Sequence, residues 1–138
     1  MFAANKNGTP SQIAKVASGG EMSRVMLSIK SLLSAAKGLP TIIFDEIDTG
    51  VSGEVADKMG IIMAQMSSNI QVVTITHLPQ IAAKGNQHFK VFKTDTDHHT
   101  YSSIVMLSRD ERVTEIAKML SGTALTEAAL QNARDLMS

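Results

Sequence analysis

Apolar positions along this chain fall into alternating helical and strand-like patterns. In "SGGEMSRVMLSIKSLLSAAKG", residues 18–38, Met22, Val25, Met26, Ile29, Leu32 and Leu33 recur at helical spacing. That spacing predicts a helix with this stripe turned toward a core, and Gly38 and Pro40 end it. "TIIF", residues 41–44, is too short for a helix and predicts a strand buried on both faces of a parallel sheet. "SGEVADKMGIIMAQMSSN" predicts a second helix with Val55, Met59, Ile62 and Met66 inward, and "IQVVTITH" a second, β-branched strand. Strand, helix and strand at this length make a βαβ unit. "LPQIAAKG" predicts a short helix that tolerates Pro79 in its first turn.

"HFKVFK" and "YSSIVMLS" flank "TDTDHHT" and predict an antiparallel hairpin. "RVTEIAKMLSG" and "TEAALQNARDLM" predict two amphipathic helices separated by Gly122. Their inward stripes are Val113, Ile116, Ala117 and Leu120, then Leu130, Ala133 and Leu136 or Met137. Ahead of the first helix, "NKNGTP" reads as a polar turn and "SQIAKVA" as its lead-in. No repeat, low-complexity tract or linker divides residues 1–138, so one mixed α/β domain is expected.

Composition narrows the class. A chain of 138 residues that is 43% hydrophobic buries roughly two thirds of its unfolded surface, enough for one core. Thirteen basic and thirteen acidic residues cancel, so net charge gives no strong sequence-independent attraction to nucleic acid or anionic membrane. Few aromatics and no densely basic helix face argue against direct DNA binding by these residues. The absence of cysteine excludes disulfides and thiolate metal sites and fits a reducing compartment. No apolar run approaches the ~20 residues of a membrane span, and "MFAANKNGTP" lacks the order of a signal peptide. A soluble cytoplasmic chain is expected. Nine methionines against four phenylalanines, one tyrosine and no tryptophan indicate a methionine-filled core rather than a methionine-rich interaction surface.

Three stretches carry candidate chemistry. "SGGE", residues 18–21, has the form of a capping box between Ser18 and Glu21. That does not explain Gly19 and Gly20, which cost about 1 kcal/mol each in a helix interior relative to alanine. Without side chains, first-turn N–H groups can touch an anion that the helix dipole favours. In "TIIFDE", Asp45 and Glu46 are either a solvated acidic turn or a working pair. In the second case Asp45 holds magnesium and Glu46 polarises a water for in-line attack on a terminal phosphate. His77 ends "VVTITH" at the same sheet edge if the strands are parallel, where ligands bind. There it could hydrogen-bond a phosphate or orient the water; alone, such a histidine is structural. Asp95, Asp97, His98 and His99 have metal-ligand chemistry, but "DTDHH" reads better as a polar hairpin tip.

In order and spacing, "SGGE", "TIIFDEID" and "VVTITH" resemble the C-terminal half of an ABC-type ATPase head. Glu21, standing where transporters usually carry glutamine, points to the SMC-like branch. More narrowly, "VASGGEMSRVMLSIK", "FDEIDTGVSG", "THLPQIAA" and "EIAKML" are similar to the RecN family of bacterial DNA double-strand-break repair and recombination ATPases. The resemblance implies a partial P-loop NTPase fold: a mainly parallel sheet flanked by helices, with a hairpin and C-terminal helices. It implies that Ser18, Gly19 and Gly20, with Glu21, form a signature motif contacting the ATP of a second head in a homodimer. Asp45 would be the Walker B magnesium residue, Glu46 the catalytic base and His77 the switch histidine. Residues 48–52, with Asp48, Thr49 and Gly50, would be the D-loop crossing the dimer interface. Arg24 and Lys30 lie on the signature helix with no role fixed. "TGVSG" departs from the Ala-Leu-Asp ending usual in such loops, a form that RecN-like chains share.

One part is missing. A phosphate loop has the form G-x-x-x-x-G-K-[ST], and no stretch here matches; Lys37-Gly38 and Lys84-Gly85 have the wrong order. The resemblance therefore implies the C-terminal lobe of a split head, completed by an N-terminal Walker A lobe beyond a long coiled coil. Alone it should neither bind ATP tightly nor hydrolyse it. DNA would be engaged through the full-length, nucleoid-associated protein, with no membrane involved. A non-catalytic interaction lobe of another SMC-like head is the alternative. A nucleotide-free metal hydrolase built on Asp45, Glu46 and His77 would leave the glycines unexplained.

Overall fold

A computed structural model of the chain describes residues 17–95, 99–122 and 124–138, with Ala3, Thr9 and Gln12. Most of "NKNGTP" and "SQIAKVA", and Asp97 and His98 of the hairpin tip, lie outside the described residues. The elements are α1 (Gly19–Lys37), β1 (Thr41–Asp45), α2 (Gly53–Met66), β2 (Gln71–Ile75), α3 (Pro79–Ala83), β3 (Phe89–Asp95), β4 (Thr100–Met106), α4 (Arg109–Ser121) and α5 (Glu127–Leu136). They form two compact units, one ending at Ile81 and one starting at Ala82. Among the described residues no helix is long and apolar enough to cross a membrane.

In the first unit β1 and β2 pair in parallel, from Thr41 opposite Gln71 to Asp45 opposite Ile75, as the βαβ pattern predicts. The core gathers Leu27, Phe44, Val51, Ala56, Ile81 and three methionines, Met59, Met63 and Met66. Methionine thus fills space here, as the scarcity of aromatics implies. The Lys30 ammonium sits 5.3 Å from the centroid of the ring of Phe44, a buried aromatic of this core.

Two expectations about burial are overturned. Most of the α1 stripe predicted to face inward does not: Met22 and Val25 are half-buried, but Met26, Ile29, Leu32 and Leu33 are exposed, Leu32 by 73%. The buried positions are Gly20, Leu27 and Ser34, spaced by sevens. At the helix start Gly20 lets the backbone of residue 50 come close, and Leu27 enters the core in place of the predicted stripe. The strand "TIIF" is likewise covered on one face only. Ile42 and Phe44 pack on the core, whereas Ile43, Val73 and Ile75 are exposed on the other face, which no element among the described residues of this unit covers. In α2, Met59 and Met66 are buried as expected, but Met63 takes the inward place given to Ile62.

The second unit contains the expected hairpin, β3 and β4 running antiparallel from Phe89 opposite Met106 to Asp95 opposite Thr100. At its tip the Thr100 hydroxyl donates to Asp95 (2.6 Å). Helices α4 and α5 pack through Ile116, Ala117, Ala129 and Ala133, while Leu120 is exposed. Helix α4 starts three residues before the expected Arg112, because Ser108 and Glu111 make a capping box. The Ser108 hydroxyl (2.7 Å) and N–H (2.8 Å) donate to the Glu111 carboxylate, and the Glu111 N–H donates to Ser108 Oγ (3.4 Å). These bonds, the Ser108 hydroxyl's first, hold the Glu111 carboxyl below its ordinary range.

His88 lies near the start of this unit, with its Nδ1 buried and without a hydrogen-bond partner among the described residues. Burial first, then the Arg112 charge, lowers its pKa. The unfolded chain therefore binds this proton more readily than the folded one. The stability that neutral His88 contributes is complete above the ordinary imidazole range, about pH 6.5, and declines as pH falls below it. Thermal midpoints measured from about pH 8 to about pH 5 should fall, and less steeply in His88→Gln. Equal slopes would exclude His88 as a source.

Candidate functional site

The site is built at the carboxyl end of the parallel pair. The Glu46 N–H donates to the Ile75 carbonyl (3.1 Å), so the ladder runs one residue past Asp45 and sets Glu46 beside the segment that continues to Thr76 and His77. Glu46 then turns the chain away with φ +46°, a left-handed conformation that costs a glutamate roughly 1–2 kcal/mol. The turn is closed behind it. The Thr49 N–H (3.3 Å) and hydroxyl (2.9 Å) both donate to the Glu46 carbonyl, and the Val51 N–H donates to the Asp48 carbonyl (3.1 Å). Asp45, Glu46 and His77 are exposed. Parallel strands thus bring the acid pair and the strand-end histidine to one edge, where open α/β sheets bind ligands.

Asp48 behaves differently from its neighbours. It is 1% exposed, and the Thr76 hydroxyl donates to its Oδ2. That hydroxyl also accepts the Leu78 N–H (3.0 Å). His77 Nδ1 lies 3.8 Å from the same carboxylate oxygen. Asp48 Oδ1 is buried with no hydrogen-bond partner among the described residues. Within the segment 48–52 the Asp48 side chain points into its own sheet end. Thr76, which no motif marked, is what holds it there.

At the start of α1 the capping box is complete. Ser18 donates to Glu21 from its N–H (2.7 Å) and its hydroxyl (2.9 Å), and the Glu21 N–H returns a bond to Ser18 Oγ (3.3 Å). These bonds, the backbone one first, hold the Glu21 carboxyl below its ordinary range. The two glycines part company. Ser18 and Gly19 are exposed, and a Cβ on Gly19 would meet only the Thr49 carbonyl, at 3.8 Å. Gly20 is buried, and a Cβ there would lie 2.6 Å from the Gly50 carbonyl oxygen. Gly50 itself has φ +75°, and its own Cβ would lie 3.1 Å from the Gly20 nitrogen. The Ser23 hydroxyl donates to the carbonyls of Gly19 (3.0 Å) and Thr49 (3.2 Å), fastening the loop to the helix start. Open access accounts for Gly19; close backbone approach accounts for Gly20. Nothing local in the sequence announces a contact between residues 20 and 50.

A cavity of about 330 Å³ opens between this helix and the end of β1, lined by Gly19, Ser23, Met26, Lys30, Asp45 and Thr49 among others. Asp45 therefore shares a volume with Lys30 and Gly19, whereas Glu46 and His77 do not line it. Among the described residues no three histidine, aspartate or glutamate side chains converge as a metal cage. A single carboxylate at Asp45 nevertheless suits magnesium, which takes one or two carboxylates and completes its shell with phosphate and water oxygens.

No family model matches the chain. It is 47% identical over 133 residues to DNA repair protein RecN of Rickettsia bellii, 43% over 133 residues to that of Haemophilus influenzae and 41% over 137 residues to that of Bacillus subtilis. These alignments cover 96%, 96% and 99% of the chain but 24% of each relative, so the chain spans about a quarter of the length of the proteins it matches. Among solved structures, an SMC ATPase described as undergoing ATP-driven dimerization and DNA-stimulated activation aligns with a TM-score of 0.62. That match is at 21% identity and covers 80% of this chain and 65% of the other. The likeness establishes the fold as α/β of the P-loop NTPase kind.

Proposed function

We propose that this chain, RecN-like in sequence and with the fold of an SMC ATPase, is the C-terminal lobe of an ATPase head that works in DNA repair. It supplies one half of a shared ATP-hydrolysis site and needs an N-terminal Walker A lobe for the other. The observation that carries this is the meeting of Glu46 with the Thr76–His77 segment at one strand end, sealed by the bond from the Glu46 N–H to the Ile75 carbonyl (3.1 Å). Glu46, exposed and turned out of the strand, is the general base. It takes a proton from water as the water oxygen bonds to the γ-phosphorus and the bond to the ADP oxygen breaks. His77 orients that water or hydrogen-bonds the γ-phosphate. Asp45 would hold magnesium, which when bound neutralises charge on the phosphates.

Ser18 and Gly19, at the exposed start of α1, would meet the γ-phosphate held by a second head, where the helix dipole and free N–H groups favour an anion. Glu21, named with them in the signature motif, holds Ser18 in place through the capping bonds. The fastening of Thr49 and Gly50 onto Gly19, Gly20 and Ser23 makes the D-loop and the signature start one rigid piece. ATP then joins two heads, each γ-phosphate being gripped from both sides, and hydrolysis loosens the grip. DNA would be engaged by the full-length protein in the cytoplasm.

The test is reconstitution. The N-terminal lobe of a RecN protein, added with ATP and magnesium, should restore hydrolysis that disappears in Glu46→Gln. Binding without hydrolysis would favour a second reading, a non-catalytic docking lobe, for which the apolar side chains exposed on β1, β2 and α1 among the described residues speak. A further expectation concerns Ser18→Arg. In the complete protein it should abolish ATP-dependent head association, measured by sedimentation, while each head's own ATP affinity changes less than about threefold, under 0.7 kcal/mol. Collapse of that affinity as well would contradict contact in trans.

A further inference from the structure

We infer that Asp48 is a positioning residue for His77: its buried carboxylate keeps the imidazole proton on Nδ1, so that Nε2 is offered as a hydrogen-bond acceptor to the attacking water. The inference rests on the proposed function for its consequence, but its geometry stands apart from it. Asp48 is 1% exposed, and one of its oxygens is bonded by the Thr76 hydroxyl. That oxygen lies 3.8 Å from His77 Nδ1, and the other is buried and unpartnered among the described residues.

An ionised carboxylate only accepts hydrogen bonds, and a buried one left short of donors is costly. The Thr76 hydroxyl has a single proton, already given to Asp48. The nitrogen that faces the pair must therefore carry hydrogen to be welcome there, and Nδ1 is that nitrogen. The ring is 69% exposed and so is free to turn the short way that converts 3.8 Å into a bond. A neutral ring protonated on Nδ1 has a lone pair on Nε2. Such an atom accepts from a water O–H and repels a phosphate oxygen, which brings only lone pairs of its own. Of the two roles open to His77, orienting the water is the one this environment selects. Thr76 and Asp48 also tie the switch histidine to the D-loop of the same chain, which the motifs alone do not connect.

The experiment is a long-range ¹H–¹⁵N correlation on the labelled chain near pH 8, above the ordinary imidazole range of about 6.5, with His77→Gln identifying the signals. Free imidazole favours the Nε2–H form, so a His77 mainly in the Nδ1–H form is the expected and diagnostic result. In Asp48→Ala the acceptor that faces both the Thr76 hydroxyl and Nδ1 is gone, so the majority should return to the Nε2–H form of free imidazole. A wild-type ring mainly in the Nε2–H form overturns the inference, whether or not the variant folds; so does an Asp48→Ala ring unchanged from wild type. In the complete protein, Asp48→Ala should lower kcat on the order of tenfold or more, as a misplaced catalytic group does, with KM for ATP unchanged. A switched tautomer with unchanged kcat would overturn the water-orienting role, while loss of turnover in Glu46→Gln would show that the proposed function itself still stands.

Discussion

In the complete protein, Glu46→Gln is expected to lower ATP turnover roughly 10²- to 10⁴-fold, the usual contribution of a positioned general base, while ATP-dependent head association survives and outlasts that of wild type. Glutamine keeps the length and hydrogen-bonding shape of the side chain but cannot take the proton that leaves the attacking water. The backbone bond from residue 46 to the Ile75 carbonyl involves no side chain, so the strand end and the turn should survive the change. Phosphate release and the lifetime of the associated heads measure the two effects separately. Turnover within a few-fold of wild type, or heads that separate at the wild-type rate, would remove Glu46 from the role of base.

The second large effect is structural and contrasts two adjacent, identical residues. Gly20→Ala should destabilise the chain by about 1–3 kcal/mol, the usual cost of forcing atoms into a packed site. Its new Cβ falls 2.6 Å from the Gly50 carbonyl oxygen, a backbone atom that cannot swing aside as a side-chain tip does. Alanine's better helix propensity offsets at most about 1 kcal/mol of this. Gly19→Ala meets only the Thr49 carbonyl at 3.8 Å and should be neutral or mildly stabilising. Urea unfolding of the two variants gives the comparison directly. Equal stability of both would mean that helix start and loop are not fastened at this point. The pair Gly20→Ala with Gly50→Ala should also be non-additive, since both enlarge one contact.

Much of the fold was legible because its signals are local. The β-branched strands, the short Pro79 helix and the hairpin flanked by "HFKVFK" and "YSSIVMLS" all appear where periodicity and turn residues place them. So does the cap at Ser18 and Glu21. The cap at Ser108 and Glu111 has the same S-x-x-E form and was equally readable; placing the start of α4 at Arg112 passed over it. What could not be read was which face of α1 turns inward. Apolar spacing marks a face that will be covered, but not whether the cover lies within these residues. Gly20 turns inward against Gly50, thirty positions away in sequence, and no local signal marks that approach. The same applies to Ile43 and Val73, whose pattern asks for a covering layer that the described residues of this unit do not supply. At the site, types and spacing pointed to Asp45, Glu46 and His77. The burial of Asp48 against Thr76 was invisible, because an aspartate facing out of this loop and one facing in are spelled alike.

The left-handed backbone at Glu46 has a consequence for anyone evolving this protein. Glycine alone adopts that conformation freely, so selection for heat resistance without selection for work should drift toward Glu46→Gly and gain roughly 1 kcal/mol there. If Glu46 is the base proposed above, the residue that best suits the chain and the residue that best suits the reaction differ at position 46. A lineage that relaxes its need for hydrolysis should show it here first.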